Sequence, residues 1–235
     1  MIGLIDAHCH LADEKLKNYN LSKDDDIAGV LSVALNLEQA NWHKANAQAK
    51  MQWIAGNHPL FTVSFTIEQL EQLIQEKAII GIGEIGFDKR ANNLPYQKDL
   101  LLEQLALAND YDLPVVFHVV KEYYQLLKII KNNFPKTRGF FHSFNSSLQV
   151  MREFENFAFS FNCNFSKIEI LQKAYADEKL LLETDSPYQK PFTDTKEFNT
   201  PQNIISSCQE KSGLLNIPKE KLIQAQYNCF NQIFG

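Results

Sequence analysis

The sequence predicts an α/β fold, a (β/α)₈ TIM barrel built as a single domain over residues 1–235. Eight short apolar runs rich in valine, isoleucine and phenylalanine recur along the chain. Segments of helical periodicity separate them, which is the alternation of a parallel sheet covered by helices. The runs are apolar on both faces, as strands covered on both sides must be.

The first run, GLIDA at 3–7, leads into DAHCHLAD rather than into the glycine-rich phosphate loop that would open a doubly wound sheet. GVLSVAL at 29–35 and QWIAG at 52–56 follow. After them TIEQLEQLIQEK predicts the third helix, with Leu70, Leu73 and Ile74 on one face and Thr66 and Gln69 at capping-box spacing. The next four strands are IIGIGEIG at 79–86, PVVFH at 114–118, GFFHSF at 139–144 and FAFSFN at 157–162. Helices are expected after them over 96–109, 121–132, 148–156 and 168–177. LLLETD at 180–185 is the last strand, and helices over 201–212 and 219–234 complete eight β/α units. No linker, low-complexity tract or internal repeat divides the chain.

A chain of 235 residues, 45% of them hydrophobic, can bury one sizeable core. It has no long uncharged apolar run, and MIGLIDAHCH lacks the basic start of a secretory signal, so a soluble cytoplasmic protein without membrane association is expected. The four cysteines show neither disulfide density nor CxxC spacing and read as reduced thiols. A net charge of -5 excludes broad electrostatic attraction to nucleic acid, though a local basic patch or bound cations can still hold a phosphate. No feature calls for an obligate protein partner.

In such a barrel the reactive groups come from the C-terminal ends of several strands. Of six histidines, five (His8, His10, His58, His118 and His142) fall at or just beyond a predicted strand end, and only His43 lies in a helix. One such histidine is as readily a hydrogen-bonded core residue; five together point to a metal. Imidazole is the commonest metal-binding side chain, and an i, i+2 pair at a strand end aims His8 and His10 at one ion. Glu84 and Asp185 end the fourth and eighth strands, where an unpaired charge is expensive. A salt bridge, or a helix cap for Asp185, would also satisfy them. Four histidines and two carboxylates suffice for two divalent cations, magnesium, manganese or zinc, with Glu84 able to bridge. Two ions about 3.5–4 Å apart lower the pKa of a shared water, and Asp185 can combine the roles of ligand and general base.

These residues lie in motifs spread over nearly the whole chain: DAHCHL, AGNHP, GEIGFD, YQKDLLLEQLALA leading to LPVVFH, FHSF, LLETDSPY and YNCFNQIF. In this order they resemble the TatD-type metal-dependent DNases among the amidohydrolase-like barrels. The resemblance implies that His8, His10 and Asp185 hold one metal, that His118 and His142 hold the other, and that Glu84 joins them. It implies hydrolysis of DNA phosphodiester bonds from strand ends or single strands, with D-aminoacyl-tRNA deacylation reported for some relatives. His58 would face the substrate phosphate.

Three positions depart from the family's pattern. The His-x-Arg of the fifth strand reads His118-Val119-Val120, followed by Lys121, a point charge in place of a planar fork. Ser146 replaces a glycine, and Asn-Glu-Pro becomes Asn199-Thr200-Pro201. Phe87, Tyr188 and Phe192 are candidates for base stacking. The expected function is therefore a metal-dependent nuclease. An acyl or amide hydrolase is the alternative, and a non-catalytic metal-binding barrel the least favoured.

Overall fold

The computed structural model describes residues 2–61, 64–192 and 194–235. Eight parallel strands form one sheet in sequence order: β1 (Leu4–Cys9), β2 (Ile27–Ala34), β3 (Met51–Ala55), β4 (Ile82–Asp88), β5 (Val115–Val120), β6 (Gly139–Phe141), β7 (Ala158–Phe161) and β8 (Leu180–Leu182). The last strand returns to the first. Cys9 bridges Ser186 in parallel, the His10 N–H donates to the Ser186 carbonyl at 2.7 Å, and the Asp185 N–H donates to the His8 carbonyl at 2.9 Å. The seam is thus hydrogen-bonded at the C-terminal mouth of the predicted barrel.

Helices α1 (Leu37–Ala45), α2 (Ile67–Gln75), α3 (Leu94–Asp110), α4 (Tyr123–Asn133), α5 (Leu148–Glu153) and α6 (Ile168–Ala176) each follow a strand from β2 to β7. Both α7 (Asn203–Leu215) and α8 (Lys219–Phe234) follow β8. Between β1 and β2 stands only a 3-10 turn at Leu21–Lys23, so the helix expected as the third is the second α-helix. Its capping box is present: the Gln69 N–H donates to Thr66 Oγ1, and Gln69 Oε1 accepts the Thr66 N–H.

Two apolar layers hold the barrel. Leu70, Leu101, Leu126, Ile130 and Leu171 belong to the larger cluster, which packs helices on strand residues such as Ile82, Phe117 and Phe141. A smaller cluster unites Ile5, Leu31, Ile54, Val116, Phe140 and Leu181 with Phe230 of α8. Side chains from strands so far apart in the sheet meet only inside the barrel, and α8 closes that interior from below. β4 approaches β5 closely at Gly86, whose φ is +143° and where a Cβ would fall 2.2 Å from the His118 carbonyl oxygen. Glycine is the residue that tolerates this position.

His43 ties α1 to the loop behind β1. Its ring stacks on Trp53, Nδ1–H donates to the Gln39 carbonyl at 2.7 Å, and Nε2 accepts from the Ser32 hydroxyl at 2.8 Å. Ser32 Oγ in turn accepts the N–H of Leu11, next to His10. Burial pushes the His43 pKa down to about 4. Between that value and the ordinary 6.5 the unfolded chain binds a proton that the folded chain refuses, so stability is full above pH 6.5 and is lost as pH falls toward 4. The expected loss is about 3 kcal/mol. Urea midpoints from pH 7.5 to 4.5 should fall more steeply for the parent than for His43→Gln, and parallel curves would remove this role.

Candidate metal centre

The mouth of the barrel opens into a cavity of about 710 Å³ whose wall includes His10, His58, Glu84, His118, His142 and Asp185. Glu84 sits at its centre. Its Oε1 lies 3.0 Å from His8 Nε2 and 3.4 Å from His10 Nε2. Its Oε2 lies 3.1 Å from His142 Nε2, 3.4 Å from His118 Nδ1 and 3.5 Å from His58 Nε2. One carboxylate therefore turns an oxygen to each of two histidine groups. On the first side Asp185 Oδ1 stands 3.3 Å from His10 Nε2 and 3.7 Å from His8 Nε2.

Strand placement differs in detail from expectation. Glu84 is the third residue of β4 rather than its end, and His8 and His118 also lie inside their strands. Asp185 lies three residues beyond β8, in a left-handed conformation with φ 54°. Asn199 staples that segment: its Nδ2 donates to the carbonyls of Thr184 and Tyr188 at 2.7 and 2.9 Å. The neighbouring Thr200 Oγ1 is buried without a partner.

Hydrogen bonds orient two rings. Asp88 is buried, which pushes its carboxyl pKa up, but the Arg90 guanidinium and the His118 ring hold it well below the usual range. As a carboxylate it only accepts, so the His118 Nε2–H donates to it at 2.8 Å. That bond turns Nδ1 toward Glu84 and His142, the arrangement of a carboxylate-oriented metal ligand. His58 is the reverse case. The Leu60 N–H donates to its Nδ1 at 3.1 Å, and burial lowers its pKa to about 3, so Nε2 carries the only ring proton. His58 lies near enough to group with Glu84 and His118 as possible ligands, but its tautomer offers a donor to the cavity.

Sequence reasoning missed three supporting side chains. Asp88 shares a strand face with Glu84 at i, i+4, a spacing that signals it. Glu183 lies beneath His142, with Oε1 3.7 Å from its Nδ1, and accepts a hydrogen bond from Ser160. Gln189 donates to Asp185 Oδ2 at 2.6 Å and to Ser143 Oγ at 2.7 Å, and nothing in its sequence context marks it. Lys121 lines the same cavity. Of the proposed stacking residues only Tyr188 lines the cavity. Phe87 is fully buried in the core and Phe192, 91% exposed, lies outside the wall, whereas Phe61 does line it.

The donor set fits metal binding. Among the described residues, His8, His10 and Asp185 each bring a possible ligand atom within 4.8 Å of one another, and so do His58, Glu84 and His118, a density of buried donors of the kind that holds an ion. Burial pushes the Glu84 pKa up, yet His142 and His8 hold it well below the carboxylate range, so it stays anionic. The positive charge it demands comes from His142, which resists burial and is raised well above its ordinary value by Glu84 and Glu183. Cations can supply that charge instead.

Comparison with known proteins places these features in context. Residues 5–235 match the family model described as TatD related DNase. The chain is 29% identical over 180 residues to the uncharacterized metal-dependent hydrolase YabD of Bacillus subtilis, covering 71% of each chain. It is 28% identical over 257 residues to the uncharacterized metal-dependent hydrolase YjjV of Escherichia coli, covering 98% of this chain and 97% of that one. The crystal structure of YjjV, a TatD homolog, superposes with a TM-score of 0.87 over 100% of this chain and 99% of that one, at 25% identity. A TatD family hydrolase from Entamoeba histolytica shares the fold at a TM-score of 0.82 and 19% identity, over 99% and 98% of the two chains.

Proposed function

This chain belongs to the TatD related DNase family, and from that membership and its barrel mouth we propose that it is a divalent-metal-dependent deoxyribonuclease acting at strand ends. One observation carries the reading: Glu84 presents one oxygen to His8 and His10 and the other to His118 and His142, as a carboxylate bridging two cations must. His8, His10 and Asp185 would hold one ion, His118 and His142 the other. Bound there, the ions would acidify water and neutralise charge on the phosphodiester.

The chain's own residues do the rest. Asp185, with Oδ2 oriented by Gln189, accepts the proton of the attacking water while Oδ1 faces the ligand histidines. Asp88 keeps His118 in its ligating tautomer. His58 donates its Nε2 proton to a non-bridging phosphate oxygen, a role its tautomer supports and for which a cation ligand would need the opposite one. Tyr188, half-exposed above His10, offers a face to a terminal base.

A second reading, hydrolysis of an acyl or amide bond such as that of a D-aminoacyl-tRNA, is favoured by Val120, which stands where the family's pattern expects an arginine. One experiment separates them. Purified protein is incubated with manganese or magnesium and end-labelled single-stranded DNA, with and without chelator, beside an aminoacyl ester. Chelator-sensitive release of nucleotides supports the nuclease, and turnover of the ester alone supports the alternative.

A further inference from the structure

Among the described residues, the cavity wall carries arginine and lysine side chains on one stretch only. Its cations, Arg90 and Lys121, lie beyond the ends of β4 and β5, while Ser143, Asn145, Asn162 and Gln189 opposite are uncharged. Register pairs Asp88 with Val120, and the Lys89 N–H donates to the Val120 carbonyl, so the residues that follow share one stretch of rim. Lys89 is engaged by Glu122 at 3.2 Å and contributes little free charge.

Arg90 is held in place. Its Nε donates to both oxygens of Asp88 at 2.9 and 3.1 Å, its Nη2 joins Oδ2, and its backbone N–H donates to Oδ1 at 2.9 Å. A guanidinium has five N–H donors, and Asp88 takes one edge. Nη1 makes no hydrogen bond among the described residues, and the side chain is 62% exposed at the cavity wall. The position is offset from the metal centre: from Glu84 outward come the His118 ring, then Asp88, then Arg90.

We propose that Arg90 and Lys121 form a second phosphate subsite, which takes the phosphate next to the scissile one on the same strand. The preferred substrate is then an oligonucleotide with at least two consecutive phosphates. This rests on the nuclease reading above. The pre-oriented planar donor edge of Arg90 supplies the bidentate contact to an oxyanion, and Lys121, in no ion pair among the described residues, adds a point charge at the same wall.

The test has two arms. In excess chelator, calorimetry compares binding of dTpdT and dTpdTpdT to the parent, Arg90→Gln and Arg90→Lys. The trinucleotide should bind the parent about tenfold more tightly. Arg90→Gln should erase that preference and flatten the log affinity against log salt slope by about 0.7, and Arg90→Lys should keep part of it. With manganese, the same preference should appear in kcat/KM and fall mainly through KM. Equal losses on both substrates would mean that Arg90 acts only through Asp88 and His118, and a parent indifferent to the second phosphate in both arms would also overturn the subsite. Binding preference without hydrolysis would sink the nuclease reading and leave the subsite standing.

Discussion

Replacing Glu84 by glutamine is expected to lower hydrolysis by at least about 10³-fold, the scale of losing a main electrostatic element of an active site. The cause is convergence: five histidine nitrogens lie within 3.5 Å of this one carboxylate. A glutamine amide matches its shape but offers one acceptor oxygen and no charge, so it cannot face both histidine groups as an anion. Metal content after dialysis should drop from about two ions per chain to one or fewer, on the two-metal reading. Retention of both ions at parental affinity would remove Glu84 as the bridge, even if activity were lost.

Asp185→Asn is the second large effect, with kcat expected to fall by about 10³ to 10⁴-fold while KM changes little. Asp185 is buried, which pushes its pKa up, but the His10 hydrogen bond and the neighbouring imidazoles keep the carboxylate ionised. Its two oxygens are divided between the histidines and Gln189. Asparagine keeps the space and loses the proton acceptor. Single-turnover rates at saturating manganese separate this from weakened metal binding: a defect cured by added metal would mark Asp185 as a ligand only.

The parts of the site legible in the sequence were those whose cost is local. A histidine pair at His8 and His10, or a carboxylate inside the apolar run around Glu84, stands out because an interior strand has no cheap reason to carry it. The strands were legible for the same reason, since runs such as PVVFH and LLLETD have only one economical environment. Boundaries were less so: β8 stops at Leu182, and the segment with Asp185 is held by Asn199 and the β1 backbone rather than by ladder pairing. The missing first helix was hidden because a 3-10 turn capped by Asn20 gives no 3.6-residue pattern. Phe87 shows the limit of reading aromatics by position, because strand parity turns it into the core between Gly86 and Asp88. Gln189 and Arg90 act through partners far along the chain or at the rim, and ordinary polar residues give no sign of that in advance.

The seam between the first and last strands makes the centre a property of the closed barrel. Asp6 accepts hydrogen bonds from the backbone and hydroxyl of Thr184 across 178 residues of sequence, directly below His8 and beside Asp185. Contacts so distant pay the largest loop-closure entropy and are slow to form. A nascent or truncated polypeptide that has not made this closure holds the histidines of one side without the carboxylate of the other. The two halves of the site thereby come together only once the last strand has closed on the first.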